Sequence, residues 1–291
     1  MPKHAPTLIL ALGAVLLGGC GVIADRDPDA GRSVQPAGEP VEQTATATAT
    51  ATPPAEGGNL LVLNLPTPEG EPVEEIGVSS PELVAEVVTL DNGTITAQRD
   101  SFGEPALRFP KFSLADAPPR AIVRVTEEGT SGVLDVGEQD FTFGVDFAVD
   151  EVSFGTTVDG GNNLIQRGLA SGDAQFKIDS DGSNVLCRVA GADGVLEARV
   201  PQDLELTEWY RVRCTRHEDS IEVSVAPLSV VGPTISKTAE GPLGELTFED
   251  NVPLSLGGKL AATGDVIRSE TDQFNGSLAE PFLVIGKGPA E

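Results

Sequence analysis

The side chains best suited to chemistry in this chain are few: three cysteines, Cys20, Cys187 and Cys214, and two histidines, His4 and His217. A cysteine serves as a nucleophile when a histidine base stands beside it. It serves as a metal ligand when four N/S donors converge, and as a covalent link when two thiols meet in an oxidising compartment. His217 follows Cys214 by three residues, where the strand-like "WYRVRCTR" gives way to a turn, so it is badly placed to activate that thiol. Cys187, Cys214 and His217 together are one ligand short of a usual zinc set. Outside the cytoplasm an isolated pair of cysteines reads as a disulfide.

The amino terminus supplies that compartment. Lys3 and His4 precede an apolar run from Leu8 to Leu17, and Gly18 and Gly19 lead into Cys20. A basic start, a short apolar stretch and small residues at the cut make a secretory signal, and the run is shorter than the roughly 20 residues of a membrane span. Leu17-Gly18-Gly19-Cys20 resembles the bacterial lipobox, which implies cleavage before Cys20 and diacylglycerol on its thiol. Residues 1–19 are thus expected to be a signal peptide. Residues 20–58 hold a Thr-Ala repeat closed by Pro53-Pro54 and lack apolar periodicity. They are expected to be a disordered tether spanning on the order of 35 Å. The expected location is the cell envelope, with a membrane link through the Cys20 lipid and the chain facing the extracytoplasmic side.

Composition points the rest of the chain towards β structure. Of 291 residues 40% are hydrophobic but only 4% aromatic, and 33 glycines and 22 prolines supply turns. A formal net charge of −26 argues against nucleic acid as a partner, because a duplex must be met by lysine and arginine. After an irregular lead-in over residues 59–75, short segments alternate with turn signals. These include "ELVAEVVTL", "TITAQ", "PRAIVRVTE", "FTFGVDFAV", "NNLIQRG", "AQFKID", "VLCRVAG", "VLEARV", "WYRVRCTR", "SIEVSV", "LTFE", "PLSLGG" and "GSLAEPFLVIG". Phe176 and Ile178 share one parity, as do Val185, Cys187 and Val189, and Tyr210, Val212 and Cys214. Lys177, Arg188, Arg211 and Arg213 fall on the opposite one. Period-two patterning of this kind predicts antiparallel strands with one covered face, and many of them predict a sandwich or barrel. Cys187 and Cys214 share the apolar parity of their strands, and a bond between them would stabilise the fold by about 3 kcal/mol.

The order of motifs from Asn163 to Ser224 resembles the laminin G-like domain. Trp209, Val212, Thr215 and Arg216 fill its Trp-x-x-Val-x-x-Thr-Arg strand. Gly257 and Gly258 fill its Gly-Gly strand end, and Phe274, Gly276 and Leu278 its closing F-x-G-x-(ILV). "FGEPALRFP" resembles the early G-x-A-L-x-F strand. The resemblance covers about residues 76–287. It implies an all-β, concanavalin A-like jelly-roll sandwich of two antiparallel sheets for residues 76–291. It also implies a calcium site on the sandwich rim, for which Asp173 and Asp272 stand at the matching positions. Calcium takes carboxylates and carbonyls from loops. The other candidate, "DSDGSN" at 179–184, starts like an EF-hand loop but lacks the distal glutamate and reads as a turn.

Concanavalin A-like sandwiches include glycanases, which need paired carboxyls about 5 Å apart for retention. "EQDFTF" supplies Glu138 and Asp140, yet Phe143 stands where the Glu-x-Asp-x-x-Glu pattern puts its last acid. The chain is therefore expected to be no enzyme. It is expected to bind a glycan or an envelope protein through rim loops, with assembly of the envelope as the rival role and glycan hydrolysis as the remote one. Arg167, Lys177, Arg188, Arg199, Arg211, Arg213 and Arg216 cluster in sequence, but so do Asp173, Asp179, Asp181, Asp193, Glu197, Asp203, Glu205 and Glu208. Cross-strand ion pairs on a solvated face are the expectation there.

Overall fold

Trp209–His217 shows how the sequence builds its strands: Tyr210, Val212 and Cys214 turn into the core, while Arg211, Arg213 and Thr215 turn outward. The computed structural model describes residues 58–286 except 130, 151–161, 182, 230–231, 250 and 270. The expected signal peptide, Cys20 and all of the tether but Gly58 lie outside the described residues.

The strands, in chain order, are β1 (Leu63–Asn64), β2 (Gly77–Val78), β3 (Leu83–Leu90), β4 (Thr96–Arg99), β5 (Pro105–Arg108), β6 (Arg120–Glu127), β7 (Phe141–Val149) and β8 (Asn162–Arg167). They continue with β9 (Gln175–Ser180), β10 (Asn184–Gly191), β11 (Gly194–Pro201), β12 (Trp209–His217), β13 (Ser220–Pro227), β14 (Ile235–Glu240), β15 (Leu254–Leu256) and β16 (Gly276–Ile285). Two seven-stranded antiparallel sheets result, one ordered β11-β10-β9-β8-β15-β6-β3 and the other β14-β13-β12-β7-β16-β5-β4. β1 and β2 form a separate ribbon. No helix occurs among the described residues. The sandwich expected from the alternation is present.

The core lies between the sheets. Phe141, Phe143 and Phe176 cluster with ring centroids 4.8–5.6 Å apart, and Phe147 packs on Tyr210. The Cys187–Cys214 disulfide joins β10 of one sheet to β12 of the other. It is a staple through the core, as the shared apolar parity of the two cysteines suggested.

Three expectations need correction. The lead-in is no preface to the domain: Leu61 and Val73 are buried in the common core. Asn59 ties the segment to the last strand, since its Oδ1 accepts from the N–H of Leu61 and of Leu283 and its Nδ2 donates to Pro281 O. Second, "LTFE" forms no strand. Leu246 makes one bridge to Gly137, and residues 247–249 belong to no strand. Third, the arginines do not share one face. Lys177, Arg188 and Arg199 belong to one sheet and Arg211, Arg213 and Arg216 to the other, while Arg167 and Arg216 are buried.

Candidate functional site

At Arg167 β8 leaves its sheet, and the chain must reverse at once to enter β9. Gly168 permits this: its φ is +75°, and a Cβ there would lie 2.2 Å from the carbonyl oxygen of Ala174. The loop 168–174 folded by this reversal forms one wall of a cleft of about 200 Å³. Residues 247–249, 252 and 253 supply a second part of the lining, with Leu260 and Ala262. Gln166 of β8 and Ser255 of β15 are opposite each other in register and line the same cleft.

These two polar side chains are almost inaccessible, at 4% and 2% exposure. Gln166 Nε2 donates to the carbonyl of Gly168 at 2.6 Å, which fixes the orientation of its amide. Its Oε1 then has no hydrogen-bond donor among the described residues. The Ser255 hydroxyl donates to Gln166 O at 3.3 Å and keeps its acceptor capacity. Asp173 and Glu249, both exposed, add carboxylates from these two parts of the lining. Neither lysine nor arginine lines the cleft.

Arg167 fastens two residues of that lining, Phe248 and Val252. Its guanidinium carbon lies 4.2 Å from the centroid of the Phe248 ring. Its nitrogens donate to the carbonyls of Val252 and Leu134 and to Asp135. Glu127 supports the neighbouring loop: its carboxylate accepts from the hydroxyl of Ser131 and from the N–H groups of Gly132 and Leu134. Burial pushes the Glu127 carboxyl up, but those three hydrogen bonds and the Arg167 charge outweigh it and hold the group below the usual glutamate range.

The two expected calcium ligands do not meet. Asp173 lies by the Gly168 end of β8, in the cleft. Asp272 lies at the other end, where its carbonyl accepts from Asn163 N–H. Five residues of strand separate these ends, roughly 16 Å. The Asp272 carboxylate is also engaged by Lys259, with Nζ 2.9 Å from Oδ2. The positions that share the cleft are instead Asp173 and Glu249. Asp173 and Asp272 do not fit one shared ion. Among the described residues no three acids, histidines or cysteines gather as a metal-binding group.

The remaining candidates have structural partners. Asp181 Oδ1 accepts from the N–H groups of Ser183 and Asn184, which makes "DSDGSN" a turn held by its own aspartate. Asp140 Oδ1 accepts from Glu218 N–H, and Oδ2 lies 2.9 Å from His217 Nδ1, so this carboxylate caps the β12–β13 turn. The Ser220 hydroxyl donates to the His217 carbonyl. Several of these basic groups are ion-paired: Arg188 meets Glu197 at 2.9 Å, Arg211 meets Asp146 at 2.6 Å, and Lys177 meets Asp179. Arg216 donates to the carbonyls of Glu218, Gly137 and Gly244.

Gln166, Ser255, Phe248 and Glu249 escaped the sequence reading. A polar residue between Leu254 and Leu256 was the available signal for Ser255. Glu249 was hidden by the strand-like look of "LTFE".

The two seven-stranded antiparallel sheets define the protein's class by architecture, an all-β antiparallel sandwich, which is the architecture that the laminin G-like resemblance implies. Solved structures similar to the chain include the LG1-3 region of the laminin α2 chain, at 19% identity, 53% coverage of this chain, 30% of that one and a TM-score of 0.39. Domains LG4-5 of the mouse laminin α1 chain match at 14% identity, with 72% and 44% covered and a TM-score of 0.39. The binding domain of Paraclostridial Mosquitocidal Protein 1 matches at 12% identity, with 80% and 49% covered and a TM-score of 0.49. The chain spans less than half the length of each of these three. No protein-family model and no curated protein matches it.

Proposed function

We propose that this chain is a non-catalytic binding module, held at the extracytoplasmic face of a membrane by lipid on Cys20, that receives a carbohydrate ligand in the cleft lined by loop 168–174 and by residues 247–249, 252 and 253. The observation that carries this reading is the cleft's polar lining: Gln166 and Ser255 are presented to it by adjacent strands, with acceptor capacity that the protein does not use. A recess with a few convergent polar groups is the usual form of a ligand site. At about 200 Å³ the recess suits one terminal ring of a longer ligand. A non-catalytic role is supported by Asp140, whose two oxygens are spent on the β12–β13 turn. Lipid attachment rests on the sequence around Cys20.

A glycan array probed with the mature protein, with calcium and with chelator, tests the reading. Binding that weakens in Asp173→Asn and persists in Asp272→Asn supports it, because only Asp173 lies in the cleft. Absence of any glycan binding, with a defined envelope protein co-purifying, overturns it in favour of an assembly role. Labelling with radioactive palmitate in a bacterial host, lost in Cys20→Ala, tests the anchor.

A further inference from the structure

The charged groups of the cleft are all acceptors: two carboxylates face no lysine or arginine in the lining. Gln166 Oε1 has no donor among the described residues. Ser255 Oγ has lone pairs to spare, and Asp173 and Glu249 contribute two carboxylates. The nearby guanidinium of Arg167 does not line the cleft and is engaged by the carbonyls of Leu134 and Val252, by Asp135 and by the Phe248 ring. From this imbalance we infer that the cleft selects a sugar with a free primary amine, a terminal amino sugar in its ammonium form. The inference rests on the proposed carbohydrate reading of the same cleft and narrows it.

Three physical arguments converge on this ligand. An ammonium carries three donors and no acceptor, the complement of what the lining presents, and its charge matches two carboxylates that no lysine or arginine in the cleft neutralises. Thr247, Ser171 and Ser255 bring hydroxyl groups that ring hydroxyls can meet, whereas the methylene stem of a lysine side chain has nothing to offer them. Leu169, Val252 and Leu260 give apolar surface for the C–H face of a ring. Acetylation of the amine removes the charge and two of the donors, and an anionic sugar meets two like charges. A bare calcium ion needs six to eight oxygens at about 2.3–2.6 Å, a tighter enclosure than a cleft of about 200 Å³.

The test is titration calorimetry of the full mature protein, in chelator, with a glucosamine tetramer and with its fully N-acetylated counterpart. The free-amine tetramer is expected to bind about tenfold or more tightly, with an affinity that falls as salt rises. Asp173→Asn and Glu249→Gln, both at exposed positions, are each expected to weaken it about fivefold or more with unchanged melting temperature. Equal binding of the two tetramers overturns the amine selectivity and leaves the carbohydrate cleft standing. Binding that appears only when calcium replaces chelator also overturns it, since the acceptors then serve a metal. Failure of both tetramers overturns the inference, and the array decides separately whether the cleft binds another glycan.

Discussion

Cys187 and Cys214 stand on opposite sheets, fully buried, with Cα atoms 6.2 Å apart and their sulfurs bonded through the middle of the core. β10 and β12 share no backbone ladder, so this bond is a direct covalent tie between the two layers. Replacing both cysteines by alanine is expected to destabilise the domain by about 3 kcal/mol. For a domain of this size that lowers the melting temperature by roughly 6–12 °C. Calorimetry with and without reductant measures the effect, and thiol labelling of the folded, unreduced domain is expected to find neither cysteine. A full thiol signal at both positions would show the staple to be absent.

Gly276 lets the closing strand lie against β7. A Cβ at this position would sit 2.1 Å from the carbonyl oxygen of Ala148 and 2.8 Å from the Phe274 ring. Gly276→Ala must therefore push β16 away from β7 at the start of their ladder, Gly276 opposite Val149. The expected cost is about 3 kcal/mol or more, in the range of overpacked cores. Denaturant unfolding reads it out, and a variant as stable as the parent would mean that the strand can shift without loss.

Glu127 makes part of the stability depend on pH, and the sign follows from its lowered pKa. A carboxyl whose folded value lies below its ordinary 4.5 stabilises the fold above that pH. The contribution disappears as pH falls through the folded value. Glu127→Gln is expected to melt a few degrees below the parent at pH 7, and the gap is expected to close between pH 4.5 and the acid limit of folding. A gap that stays constant across that range would assign the loss to shape and leave the charge without a role.

Much of this architecture was legible because the signal is short-range. Period-two alternation identifies Phe176, Cys187, Val212 and Cys214 as inward residues wherever a strand has one covered face. The F-x-G-x-Leu of the closing strand was legible because Gly276 answers a close approach that only glycine fits. The cleft was not, since each of its parts depends on distant segments. Ser255 looks like a polar interruption of an apolar strand until β8 brings Gln166 opposite it. Asp173 and Asp272 matched positions in a motif, but the length of β8 holds them apart, and a pattern of residue types carries no measure of that distance. Arg167 and Arg216 looked like members of a charged face. Both are buried, and their guanidinium groups donate to loop and turn carbonyls there, Leu134 and Val252 for Arg167 and Gly137, Glu218 and Gly244 for Arg216.

Arg167 is the residue on which the second part of the cleft's lining depends. Its side chain reaches the carbonyls of Val252 and Leu134, meets Asp135 at 3.1 Å, and stacks on Phe248. The Asp135 carboxylate is 58% exposed, so the pair with it contributes little. The bonds to the two carbonyls matter more, because a buried acceptor left unfilled costs about 1–3 kcal/mol. Lysine keeps the charge but presents one compact ammonium in place of a planar fork. Arg167→Lys is therefore expected to lose about 2–4 kcal/mol and to speed hydrogen exchange across 247–253. Phe248→Ala removes the stacked ring and leaves the carbonyl bonds in place. It is expected to cost about 1–2 kcal/mol less than Arg167→Lys while weakening ligand binding in the cleft at least as much. If Phe248→Ala instead proves the more damaging of the two to stability, that lining is held by ring packing against Phe176, and the guanidinium is its passenger.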